Sequence, residues 1–184
     1  MKRLIVDWLL RFAEDRKGLA AIEFAMLAPI MLLLYFGMAE SSQAYMANRR
    51  ANHTASIVAD LVAQGETTTK AELNRVFGIG ELVMRPFGAT PLSIRISIVT
   101  LDKNGRAIVD WSRGSGTALP ARTKGSQYMD LPSGLILQDQ SLIIGETTYT
   151  YTSSFTQVIK TPLVFSRQYY LRPRSSEKIT CADC

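Results

Sequence analysis

The two cysteines of this sequence, Cys181 and Cys184, have the spacing of a thiol-disulfide redox motif. Such a motif works because its first cysteine lies at a helix N-terminus, which lowers the pKa of the thiol. Cys184 is the last residue printed, so we expect no helix after the pair. We interpret the cysteines as a small intrachain disulfide, which an oxidising compartment favours and which would stabilise the fold by roughly 2 kcal/mol. Covalent pairing with another chain is the alternative.

The remaining residues predict neither a catalytic centre nor a metal site. A metal ion would need two ligands besides the cysteines, and His53 is the only histidine in the sequence. The same shortage leaves no plausible serine or cysteine nucleophile with a histidine base. Acidic pairs such as Asp139 and Glu146 are explained as well by solvated strand ends as by general acid-base catalysis. We therefore expect no enzyme activity, no metal and no cofactor.

The charge of the chain does not favour a nucleic-acid partner. The formal charge is +5, and residues 1–18 hold five Lys/Arg and three acids, so the remainder carries +3. Nucleic-acid-binding domains usually cluster a larger basic surplus on one face, with aromatic residues among it. We expect no nucleic-acid binding.

An apolar run over residues 19–39 contains a single charged residue, Glu23. At about 1.5 Å per residue, a helix of this length crosses a hydrocarbon core of roughly 30 Å. Basic residues crowd the N-terminal side of the run, so the positive-inside rule places the N-terminus in the cytoplasm and the rest of the chain in the periplasm. The sequence thus predicts a single-pass inner-membrane protein in contact with membrane lipid.

Two residues of this run are unusual in a plain membrane anchor. A carboxylate such as Glu23 costs up to about 2.5–3.5 kcal/mol at the centre of a membrane helix, so we expect a compensating partner. Pro29 removes a backbone donor and clashes with the preceding turn, which predicts a kink or a loosening between residues 25 and 29. Taken singly, each has a simpler explanation: Glu23 among the lipid headgroups, and a proline tolerated as in many membrane helices.

The joint placement of these residues points to a family. Gly18 follows Arg16 and Lys17, the carboxylate of Glu23 is the fifth residue after that glycine, and Phe24 is the sixth. This arrangement resembles the sites cut by prepilin peptidases. The longer run GLAAIEFAMLAPIMLLLYFGMAE is similar to the TadE-like pseudopilins of the tight-adherence (Flp-type, type IV) pilus system.

The resemblance implies the partners and the roles of these residues. A prepilin peptidase would cut between Gly18 and Leu19 and remove a cytoplasmic leader, residues 1–18. Other pilins or pseudopilins, an export ATPase and its membrane platform would be the further partners. Glu23 and Phe24 would then serve subunit register and assembly.

The chemistry of that cut follows from the residues themselves. Cleavage after Gly18 creates a free amine on Leu19 at the membrane boundary, and the Glu23 carboxylate of a neighbouring subunit can meet this ammonium. A subunit displaced along the helix axis would leave both charges unpaired in a low-dielectric medium, so the pair sets axial register. Glycine suits the cut because it allows an extended peptide at little steric cost.

Beyond the apolar run, the pattern predicts an α+β domain. Small apolar residues continue at helical spacing to Val62, and Gly65 is expected to end this helix. A capping box at Thr69 and Glu72 predicts a second helix over 70–85, with a weak point or break at residues 78–80. Alternating residues after Pro91, an Asn104–Gly105 turn and two later runs predict about four antiparallel strands, with a long loop over 113–140.

The predicted plan is therefore a leader over 1–18, a long transmembrane and periplasmic helix over 19–64, and a periplasmic α+β domain over 65–184. The helix would pack on the antiparallel sheet, as in pilins. The preferred hypothesis is a minor pseudopilin that takes part in assembling a tight-adherence pilus or a related secretion apparatus, able to enter the pilus and serve cell adhesion. The alternative is an uncleaved single-pass protein whose periplasmic domain binds a ligand or partner.

Overall fold

The computed structural model describes residues 17–132, 134–136, 140–155 and 159–184. The predictions for leader residues 1–16 and for Asp139 fall outside these residues. The longest element is helix α1, Lys17–Ala63, which contains Pro29. At 47 residues it is about 70 Å long. Its N-terminal part is the apolar run, and its C-terminal part packs on a sheet, which confirms the predicted architecture.

The remaining elements follow α1 along the chain. They are β1 (Thr67–Thr68), α2 (Lys70–Val83), β2 (Leu92–Leu101), β3 (Ala107–Ser115), β4 (Ser141–Tyr151), β5 (Leu163–Leu171) and β6 (Thr180–Cys181). The four long strands form an antiparallel sheet in the order β3-β2-β4-β5, and β1 pairs with β6 in parallel. The fold is α+β with four main strands, as the sequence predicted.

One side of the sheet is covered by α1. The small-residue stripe of the helix is buried against the sheet, and it consists of Ala44, Ala47, Ala51, Ala55, Val58 and Val62. A Cβ added to Gly145 of β4 would lie 2.6 Å from the Ala55 carbonyl oxygen, so the glycine permits this close approach of helix and strand. Thr147 Oγ1, two residues on, donates to the Ala51 carbonyl at 2.9 Å.

Helix α2 begins with the predicted capping box. The Thr69 side chain accepts from the Glu72 backbone N–H, and the Glu72 carboxylate accepts from the Thr69 N–H. The predicted break at residues 78–80 does not occur, because the helix is continuous there. Gly80 is a packing position: a Cβ there would lie 2.7 Å from Ile94 Cδ1 and 3.0 Å from Val58 Cγ2.

The opposite side of the sheet is less open than the alternation in β2 suggested. Ser93 and Ser97, on the polar side of that strand, are both buried. The segment after β3 lies across this side, where the Ala118 N–H donates to Ser93 Oγ. A second apolar cluster forms there and includes Val109, Tyr128 and Ile144. The long loop therefore completes the fold as a cover of the second sheet face.

Candidate functional site

The apolar part of α1 contacts almost nothing in the chain. Its large side chains from Leu19 to Met38 are mostly more than half exposed, including Phe24 at 72%. The most apolar 18-residue window of this helix is long enough to cross a membrane and has no buried residue. In water such a surface would be unstable, whereas lipid tails or other apolar helices would cover it favourably. The helix fits a single-pass membrane protein.

Gly18 and Leu19 lie in α1, close to the first described residue, and are exposed. A Cβ added at Gly18 would meet no atom within 4 Å. Glycine costs a helix about 1 kcal/mol relative to alanine, so the helix is more easily unwound at this position. An extended peptide at the predicted cut is therefore accessible at low cost.

Glu23 and Phe24 project from the same exposed segment, one turn after Leu19. Within the part of the chain that the structure describes, the Glu23 carboxylate forms neither a hydrogen bond nor an ion pair. The compensating partner that the sequence led us to expect is therefore not found within the described residues. Helix α1 runs without interruption through Pro29.

A second glutamate, Glu40, stands where the apolar segment ends, and its side chain is fully buried. Its Oε2 accepts hydrogen bonds from the Tyr151 hydroxyl at 3.2 Å and from Ser153 Oγ. One turn earlier, Phe36 packs on Phe155 with ring centroids 4.7 Å apart. We call these five residues the junction clamp, because they attach the end of the membrane segment to β4 and the residues after it.

Sequence reasoning assigned no role to Glu40, although a signal was present. Glu40, Ala44, Ala47 and Ala51 follow the spacing of three and four that defines the buried stripe. A glutamate in register with a buried stripe predicts a buried carboxylate with hydrogen-bond donors around it. The donors themselves come from more than 100 positions later in the chain, and the pattern could not identify them.

The covered face of the sheet holds an ion cluster at Glu146. The carboxylate accepts from Arg95 Nε at 2.6 Å and from Arg122 Nη2 at 2.9 Å. Burial opposes ionisation of Glu146, but the hydrogen bonds and charges of the two arginines outweigh it and hold the carboxyl pKa below its ordinary value. The interpretation of Glu146 as a solvated strand end is wrong: it lies within β4 and fixes the loop residue Arg122 to the sheet.

Cys181 and Cys184 form a disulfide with Cα atoms 5.6 Å apart. The loop between them presents Asp183, whose carboxylate accepts from the Lys70 N–H at 2.8 Å in the first turn of α2. In the described residues, Cys181, Asp183 and Cys184 are the one group of candidate metal ligands within reach of one another. The disulfide occupies both sulfurs, so this arrangement caps a helix and offers only a carboxylate to a cation.

Residues 18–60 match the model of the TadE-like protein family. No curated protein and no solved structure matches the chain. The match begins at Gly18 and includes Glu23, Phe24, Pro29 and Glu40, but it ends before α2 and the sheet. Residues 18–60 are therefore similar to the TadE-like protein family, as the sequence predicted.

Proposed function

We propose that the chain is a minor pseudopilin that a prepilin peptidase cuts after Gly18, and that it takes part in assembling a tight-adherence pilus or a related secretion apparatus. The proposal rests mainly on the position of Glu23. This carboxylate is exposed on an apolar helix, five residues after Gly18, and has no partner in the described part of the chain.

Electrostatics explains what Glu23 would do. A free ammonium on Leu19 of one subunit would neutralise Glu23 of its neighbour, and the penalty for two membrane charges would be removed together. Before assembly, lipid would cover the exposed helix surface around Leu19 and Glu23. In the assembly, other pilin helices would cover it. The export ATPase and its platform would supply the work of moving the helix out of the bilayer.

The basic leader favours a cytoplasmic N-terminus, with the α+β domain in the periplasm of an inner-membrane protein. The domain is larger than a filament-forming subunit needs, which supports a minor role. No enzymatic step is assigned to it. In the alternative, an uncleaved anchor carries a binding domain, and Glu23 only lies among headgroups.

The substitution Glu23→Gln tests the register role while keeping the size of the side chain. We expect the variant to be inserted and cut normally but to reduce surface pili and adhesion strongly. Glu66→Gln is the matched control, since Glu66 is also exposed but lies beyond the apolar segment. Pilus output and adhesion equal to wild type in Glu23→Gln would favour the uncleaved-anchor alternative.

A further inference from the structure

A basic groove runs along the outer face of α1 beside β5. One part, of about 500 Å³, is lined by Arg49, Arg50 and His53, with Tyr169 of β5 as a wall. A second part, of about 380 Å³, shares Arg49 and adds Arg167. We call Arg49, Arg50 and Arg167, with the surface between them, the arginine groove.

The positive charge of this groove is not neutralised within the described residues. Of the arginines outside the groove in the described residues, Arg85, Arg113 and Arg172 form no ion pair, whereas five form one with a carboxylate of the same chain: Arg75, Arg95, Arg106, Arg122 and Arg174. The groove arginines form none. Arg50 Nη1 donates to the Val83 carbonyl at 2.9 Å, and Arg167 Nε donates to Asn48 Oδ1 at 2.9 Å. These neutral acceptors orient the guanidinium groups of Arg50 and Arg167, and most of the five N–H donors of each group stay available.

The strand beside the groove is also the open edge of the sheet. The edge at β3 is covered by the chain itself, because the Tyr128 N–H donates to the Ala107 carbonyl at 2.8 Å and the Val109 N–H donates to the Ser126 carbonyl at 2.9 Å. The outer edge of β5, in contrast, has no strand partner among the described residues. A covered edge and an open one indicate that contacts with other chains concentrate on the β5 side.

We propose that the arginine groove binds a carboxylate-bearing segment of a different subunit of the pilus assembly. Bidentate contacts between guanidinium and carboxylate groups supply the recognition, and they suit a planar fork held at a fixed angle. The inference rests on the proposed function, because it is the assembly that brings a second subunit beside α1.

Membrane lipid is a poorer occupant on grounds of distance. Arg49 lies ten residues beyond Ala39, so its backbone stands about 15 Å past the end of the apolar run. A headgroup layer is only roughly 5–8 Å thick on each side of the hydrocarbon core. The lipid phosphates therefore lie mostly below the groove.

A second copy of this chain is disfavoured by charge. Of 21 Lys/Arg and 16 Asp/Glu, residues 1–18 hold five and three, so the cleaved chain carries a net +3. Two such copies repel at long range, whereas an acidic partner is attracted. The occupant is accordingly a subunit with exposed Asp or Glu side chains.

The test uses the full chain in cells that assemble the pilus, with a photo-crosslinking amino acid in place of Asn52, which is exposed in the groove. Mass spectrometry of the adduct should identify an Asp- or Glu-containing peptide of another pilus subunit. Combined R49E and R167E should reduce the adduct by at least about tenfold, because two charge-assisted contacts become repulsive. R75E is the control, since Arg75 is 74% exposed but lies outside the groove.

Replacing the acidic residue of the captured peptide by lysine should restore the adduct in the R49E/R167E chain. An adduct with phospholipid or with a second copy of this chain would overturn the proposal. So would an adduct whose yield is unchanged in R49E/R167E. Resistance of each variant to limited proteolysis reports whether the domain has folded. The N-terminal residue is determined in the same samples. A chain that begins at Leu19 but gives no adduct contradicts only the proposed partner of the groove. An uncut chain that gives the adduct contradicts only the pseudopilin role.

Discussion

Glu40, at the end of the apolar half of α1, accepts a hydrogen bond from the Tyr151 hydroxyl of β4 at 3.2 Å. Its other oxygen, Oε1, is buried and has no partner in the described residues. The Phe36 and Phe155 rings stack one turn away. This junction clamp joins the apolar half of α1 to the sheet, and the helix is continuous between its apolar and packed parts.

Removing the Glu40 carboxylate should destabilise the domain. In Glu40→Ala the Tyr151 hydroxyl loses its acceptor while staying buried, and Ser153 Oγ keeps only the Phe155 carbonyl as an acceptor, which costs about 1–3 kcal/mol. Glu40→Gln keeps one acceptor and should lose less. Unfolding of the full chain in detergent micelles measures both, with Ser42→Ala as an exposed control. Equal stability of Glu40→Ala and Ser42→Ala would argue against the clamp.

The two glycines of α2 should respond oppositely to alanine. Gly78→Ala places its Cβ in open space and should stabilise the helix by up to about 1 kcal/mol. Gly80→Ala forces its Cβ against Ile94 and Val58, which should cost about 1–3 kcal/mol. Thermal unfolding of the two variants side by side checks this, because they share helix, residue type and substitution. The same sign of shift in both would contradict the packing described.

Breaking the ion cluster at Glu146 should be among the most damaging substitutions. Glu146→Gln leaves Arg95 and Arg122 without their counter-charge at a largely buried position, which costs about 3 kcal/mol or more. Denaturant unfolding measures the loss. Asp102→Asn is the comparison, since the Arg106–Asp102 pair lies on the exposed hairpin turn and should contribute far less.

The same cluster predicts a pH dependence. The folded-state pKa of Glu146 is lowered from its ordinary value of 4.5, so its contribution is complete above that value. The contribution disappears as the pH falls through the lowered folded-state pKa, because the unfolded chain then binds more protons. The stability difference between wild type and Glu146→Gln should therefore narrow on acidification. A difference that widens at low pH would show the opposite sign of coupling.

The disulfide and the Asp183 cap should be coupled. Replacing both cysteines with serine should cost roughly 2 kcal/mol through chain entropy alone. Asp183→Ala removes the acceptor of the Lys70 N–H and should cost about 0.5–1 kcal/mol. Since the disulfide holds Asp183 in place, the second loss should shrink in the serine background, and a double-mutant cycle measures the difference. Fully additive losses would mean that the cap forms without the disulfide.

Local patterns predicted the elements whose causes are local. The stripe from Ala44 to Val62 defined the buried face of α1, the Thr69 and Glu72 pair defined the start of α2, and Asn104–Gly105 defined the hairpin turn. In the turn, Gly105 has the positive φ of 75° that only glycine adopts at little cost.

The residues that sequence reasoning missed depend on distant partners. Glu40 is held by Tyr151, and Glu146 by Arg95 and Arg122, and no periodicity connects these positions. Gly80 looked like a break because a glycine weakens an isolated helix, whereas here Ile94 and Val58 require its lack of a side chain. The buried side of β2 was missed for a similar reason, since the loop that covers Ser93 and Ser97 comes from beyond β3.

The proposed processing by a prepilin peptidase changes the N-terminus of the chain. The measurement is the intact mass and first residue of the chain purified from membranes of cells with and without the prepilin peptidase. We predict a chain that begins at Leu19 when the peptidase is present and one that retains residues 1–18 when it is absent. A chain that retains those residues in both strains would contradict the proposed cleavage and the pseudopilin role, and would favour the uncleaved anchor.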